Sequence, residues 1–185
     1  MFTMYDSVSL DQIPAGPHAV ASYINGKYQN YAEAMREFPH ARHLGISVQH
    51  GIAAECYDIE NGDYKPADAP YLLKTAEEKG MWRPCFYANL STMPAVKEAL
   101  KGTPRNSVRL WVADWDDTPI IPAGYDAKQF ATGALGRNLD ESICASDFFR
   151  PLTKEITVPA PEPVKVPIDL HVTYDPGTDK WEIKS

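Results

Sequence analysis

Acidic residues in this chain fall at the ends of short apolar runs, and one pair is spaced for acid–base chemistry. In Ala54-Glu55-Cys56-Tyr57-Asp58-Ile59-Glu60, Asp58 and Glu60 stand two apart at the end of a strand-like run. Residues i and i+2 of a strand face the same side, so the two carboxylates point together. Asp6 closes an earlier run, Asp114 closes a later one beside Trp111 and Trp115, and Asp140 falls in a last run, Asn138-Leu139-Asp140-Glu141. Clustered carboxylates repel, which lifts the pKa of one and leaves another ionised. Glycosidic cleavage needs that division: an acid to protonate the leaving oxygen, and a negative partner for an oxocarbenium-like transition state. Tyr57, Tyr87, Trp111 and Trp115 offer aromatic faces of the kind that stack on sugar rings. For any single one of these acids the competing account is a solvated loop residue or a helix cap.

The elements that must position these residues are legible as β-rich and helical runs. The sequence predicts strands over Thr3–Val8, Ala19–Ile24, His43–Gln49, Ala53–Ile59, Arg83–Ala88, Val108–Asp114, Ala127–Phe130 and Leu139–Ile143. Several are near-continuous apolar runs, as in strands buried on both faces. Helices are expected at Tyr31–Phe38, at Ala67–Lys79 and at Pro94–Leu100, the last with Ser91 or Thr92 as its cap. Alternating strand and helix points to a parallel sheet, and eight strand candidates point to a closed barrel. A full (β/α)8 barrel takes roughly 200 residues or more. The expected fold is therefore a compact, irregular (β/α)8-type, TIM-like α/β barrel over residues 1–150 with reduced helices, most obviously between the third and fourth strands. In such a barrel the strand ends that carry the acids converge on one rim.

Residues 151–167 hold five prolines and read as an extended, semi-rigid linker. Residues 168–185 place two β-rich runs around Asp175-Pro176-Gly177, the signature of a hairpin.

Tyr5-Asp6-Ser7, Tyr57-Asp58-Ile59-Glu60-Asn61-Gly62-Asp63, Leu110-Trp111-Val112-Ala113 and Lys128-Gln129-Phe130 with Leu139-Asp140 occur in that order. As an ordered set over roughly residues 3–149, the chain resembles the family 25 glycoside hydrolases. It is most similar to the short, family-25-like barrel proteins of actinobacteria and their phages. The resemblance implies a lysozyme-like activity on the bond between N-acetylmuramic acid and N-acetylglucosamine in peptidoglycan. By position it implies Glu60 as general acid. Asp58 would support the charged intermediate by orienting the substrate's acetamido group, and Asp6 and Asp140 would complete an acidic floor. Asp114 and Gln129 join the aromatic residues as expected substrate-binding groups, and no metal or organic cofactor is implied. The interval from Asp6 to Asp58 is shorter than in full-length family members, so part of the groove wall is expected to be missing.

Composition narrows the partners. The 185 residues are 44% hydrophobic and carry a formal charge of −7, enough for a core and the wrong sign for gripping nucleic acid or anionic lipid. Three widely spaced cysteines, Cys56, Cys85 and Cys144, argue against a disulfide framework and for a reducing compartment. The first residues carry no basic and apolar leader pattern, so cytoplasmic synthesis without an export signal is expected, followed by release at lysis or assembly into a particle. His40 and His43 lack partners at ligand spacing and read as surface or strand-cap residues. Two functions remain open: a hydrolase of cell-wall glycan, and a non-catalytic glycan-binding or structural barrel docked to phage virion proteins through residues 151–185.

Overall fold

In the computed structural model the described residues are 1–149, together with the strand backbones at 171–175 and 180–184. The chain divides into two units, Met1–Arg150 and Pro151–Ser185. In the first, eight strands close into a barrel in sequence order: β1 (Phe2–Asp6), β2 (Ala19–Tyr23), β3 (Arg42–Ser47), β4 (Cys56–Asp58), β5 (Cys85–Asn89), β6 (Arg109–Ala113), β7 (Ala127–Ala131) and β8 (Asp140–Cys144). Strands β1 to β7 pair in parallel. β8 runs antiparallel to both of its neighbours, β7 and β1. Among the described residues three α-helices accompany them: α1 (Tyr31–Glu37) after β2, α2 (Ala69–Glu78) after β4 and α3 (Met93–Ala99) after β5. The architecture is thus a closed, mixed barrel of α/β class with few helices. In the second unit β9 (His171–Asp175) and β10 (Lys180–Lys184) pair antiparallel. The expected linker at 151–167 and the residues of the expected turn after Asp175 lie outside the described residues.

Alternation along each strand divides the core into layers. One set points into the barrel and includes Met4, Ala19, Ala21, Leu44, Cys56, Cys85, Trp111 and Cys144. An eight-stranded interior is only wide enough for side chains, and the alanines of β2 leave room for the Trp111 and Tyr87 rings, 4.5 Å apart. The opposite set, including Tyr57, Phe86, Leu110 and Val112, packs outward against Leu72, Ala76, Met93 and Val96 of α2 and α3. A third cluster joins Val20 and Leu139 to Ala34 of α1.

Two strands start more than one residue later than expected, each for a local reason. Arg83 adopts a left-handed backbone, φ 41, which no strand residue can, so β5 begins at Cys85. Ala54 donates its N–H to the Tyr57 hydroxyl at 3.1 Å rather than to a ladder partner, and β4 begins at Cys56. Thr92 is the N-cap residue of α3, one of the two expected, but its side chain makes no capping hydrogen bond; its N–H instead donates to the side chain of Asn89, at the end of β5, at 2.9 Å.

The barrel is closed at the N-terminal ends of its parallel strands. Arg109, 2% exposed, donates there to the carbonyls of Arg83 (2.5 Å), Phe148 (2.9 Å) and Glu55 (3.1 Å). Phe148 and Phe149 pack beneath the interior cluster. The opposite mouth is where the acids gather.

Candidate active site

The acids reach that mouth by three different routes. Asp6 and Asp58 are the final residues of β1 and β4. Glu60 lies just beyond β4, and the Ile59 N–H donates to the Tyr87 carbonyl at 2.8 Å, extending the β4–β5 pairing up to it. The chain then turns through Gly62, whose φ of 105 suits glycine. Asp140 is the first residue of β8, and because β8 runs backwards its start lies at the same rim as the ends of the others. It is the direct register partner of Asp6.

These side chains line a cavity of about 160 Å³ together with Tyr23, Ile46, Tyr87, Trp111, Trp115 and Gln129. Burial and the Asp140 carboxylate push Asp6 up to about 7, against the Gln129 amide, which pulls it down. Asp58 is pushed up to about 8 by burial, then by Glu60, Asp63 and Asp6. Glu60 is raised by burial, Asp63 and Asp140. The Tyr23 and Tyr87 phenols, buried among the same carboxylates, are raised too and stay neutral. Like charges this close titrate as a group, so protons are shared across the cavity near neutral pH.

Hydrogen bonding separates the acids. Gln129 Nε2 donates to Asp6 at 3.2 Å and to Asp140 at 3.4 Å. The buried Oδ1 of Asp58 has no hydrogen-bond partner, although the residue is only 4% exposed. A buried acceptor without a partner carries a cost that a bound ligand donor would remove. Trp111 donates its indole N–H inward to Ser142 Oγ at 3.1 Å, whereas Trp115 stands 54% exposed at the rim.

Two expected binding residues lie elsewhere. Tyr57 is fully buried on the outer face of β4, edge-on to Tyr64 and beside Phe86; it alternates with Asp58 and so cannot share its face. Asp114 pairs with Lys128, 3.5 Å away on the outer face of β7, where Asp116 holds the same ammonium at 2.6 Å. That pairing, with the Thr118 N–H, holds the Asp116 carboxyl below its usual range. Conversely, Tyr23 and Ile46 line the cavity without having been singled out. Their place at the ends of the second and third strand runs is the signal that marks them. Cys56, Cys85 and Cys144 are free thiols buried in the interior, with burial pushing Cys56 and Cys144 well up. His43 Nε2 lies 2.9 Å from the Phe38 carbonyl. Among the described residues no group of three or more His, Cys, Asp or Glu side chains is arranged to hold a metal ion. No helix among them is long and apolar enough to cross a membrane.

Fold and cavity together define a closed eight-stranded α/β barrel with an acidic, aromatic-rimmed pocket at one mouth. No family model and no curated protein matches the sequence. In structure the chain is similar to an uncharacterized B. stearothermophilus protein solved by crystallography at 1.07 Å. The TM-score is 0.60 at 11% sequence identity, covering 80% of this chain and 98% of that one. The likeness is one of fold.

Proposed function

We propose that the protein is a glycoside hydrolase acting on peptidoglycan or a closely related glycan, built on a reduced, TIM-like (β/α)8-type barrel. The barrel reading is supported by seven successive parallel strands and by helices on their outer face. The functional reading is carried by one observation: the unpartnered Oδ1 of Asp58 lies in the same cavity as Glu60, with exposed Trp115 in its lining.

In this reading a sugar ring stacks at the rim, and Glu60 protonates the oxygen of the bond to be cut. Burial, Asp63 and Asp140 raise the pKa of Glu60, which favours the protonated form that a general acid needs. Asp58 accepts the N–H of the substrate's acetamido group, whose carbonyl oxygen closes on the anomeric carbon as the leaving oxygen departs. Positive charge develops on the substrate at that point. The Asp58 carboxylate is disfavoured in the empty cavity and favoured beside that charge, so the interaction strengthens toward the transition state. Water then opens the cyclic intermediate, returning its proton to Glu60.

The test is release of new reducing ends from purified peptidoglycan by the wild type and by Glu60→Gln at equal concentration. Release by the wild type alone supports the hydrolase and its acid. No release by either folded protein would favour the alternative, a non-catalytic glycan-binding or structural barrel. The contribution of residues 151–185 to docking on a partner would then be the property to measure.

A further inference from the structure

The side-chain amide of Gln129 is 2% exposed and uses its whole hydrogen-bonding capacity. Its Oε1 accepts from the Tyr87 hydroxyl and from the Trp115 indole N–H, both at 2.8 Å. Its Nε2 donates to Asp6 and to Asp140 at 3.2 and 3.4 Å. An amide has two donor hydrogens and two acceptor lone pairs, and here all four are engaged. The direction of the amide is also fixed. An indole can only donate, so the oxygen must face Trp115; a flipped amide would set N–H against N–H and oxygen against two carboxylates. No hydrogen-bonding capacity is left for a ligand, so Gln129 does not itself bind substrate. What it does is connect an exposed ring at the rim to two acids in the cavity.

We propose that Gln129 is a positioning residue: it holds Asp6 and Asp140 as hydrogen-bond acceptors and ties them to Trp115, so that a ligand stacked on the ring and the charge of the acid pair are coupled through one side chain. That the ligand is a sugar rests on the hydrolase reading; the tie itself does not. The groups facing the acid pair are Asp58 and Glu60 from β4 and its loop, Tyr23 from β2 and Tyr87 from β5. All are neutral or negative; the Tyr87 hydroxyl donates to Gln129 itself, and Gln129 Nε2 donates to both acids. Consistently, its N–H is what lowers Asp6 against burial and Asp140.

The experiment follows the indole N–H signals of the full-length protein by ¹⁵N NMR across pH, beside the ¹³C carboxyl signals of Asp6 and Asp140. Four tryptophans give four signals, and Trp115→Phe identifies one. The Trp115 signal should shift with the same midpoint as the Asp6 carboxyl. In Gln129→Glu the acceptor for Tyr87 and Trp115 is kept, but an oxygen replaces the donor beside Asp6 and Asp140. The midpoint should then rise by about one pH unit or more. On a soluble glycan fragment kcat should fall by on the order of 10-fold to 10²-fold with KM little changed. A Trp115 signal indifferent to pH through the carboxyl titration would overturn the proposal, as would an unmoved midpoint in a folded Gln129→Glu. The wild-type titration decides the matter even where that variant does not fold. If the wild type shows no turnover, the hydrolase reading fails while the two titrations still judge Gln129.

Discussion

Asp6 and Asp140 are direct register partners across the antiparallel β1–β8 ladder, one as the last residue of its strand and the other as the first. Like charges directly opposed on paired strands are destabilising, and here they also lie in a largely buried cavity beside Asp58 and Glu60. Such an arrangement stores free energy locally, in the way that acid–base sites commonly do.

Glu60→Gln should lower the rate of reducing-end release by on the order of 10²-fold or more, the scale of a lost general acid. Glu60 is only partly buried and lies in a loop, so the variant's thermal midpoint should stay within a few degrees of the wild type. Equal rates for the two proteins would remove Glu60 from the role.

Stability should fall as pH rises. Asp58 and Asp6 titrate at about 8 and about 7 in the folded chain, against about 4 when unfolded. Between these values the folded state binds more protons, so the stabilisation is fully present below about 4 and is lost as pH passes through 7 to 8. Asp58→Asn should therefore be more stable than the wild type at pH 9, by on the order of a few kcal/mol, with a smaller gap at pH 5. Urea unfolding at the two pH values measures it; a gap independent of pH would contradict the shift. The same variant should lose activity, because asparagine cannot carry the negative charge that stabilises the developing positive charge on the substrate.

Arg109→Met should be strongly destabilising. It leaves the carbonyls of Arg83, Glu55 and Phe148 without their donor at the closed end of the barrel. Orphaning several buried acceptors costs on the order of 3 kcal/mol or more, which for a unit of this size lowers Tm by roughly 10 °C. A thermal melt unchanged from wild type would mean that water replaces the guanidinium there.

Trp115→Ala should weaken binding of soluble glycan fragments by roughly 3-fold to 10-fold, the worth of one aromatic face, and do so mainly through KM. Trp115 is half exposed, so folding should be little affected. Fragment titration by calorimetry distinguishes a stacking platform, which loses affinity, from a bystander, which does not.

Removing residues 151–185 should leave residues 1–150 folded, since the barrel and its core clusters are complete by Phe149. Turnover on soluble fragments should persist, measured alongside a thermal melt. Loss of the fold would show that the removed segment contributes to barrel stability.

Much of this arrangement follows from local sequence. Apolar runs marked the eight barrel strands to within a few residues, and alternation alone put Asp58 with Cys56 on one face of β4. The same alternation excludes Tyr57 from that face and puts Asp114 on one face with Val112. The shortness of the loops also announced that few helices could fit. What no local pattern encodes is the direction in which β8 enters the sheet, because a strand's residues read alike in either sense. Were β8 parallel, Asp140 would start at the end plugged by Arg109 and Phe148. Running antiparallel, it opposes Asp6. The fourfold use of Gln129 is equally invisible in the chain, since its partners Asp6, Tyr87, Trp115 and Asp140 come from four separate segments that only barrel closure brings within 3.4 Å or less of one amide.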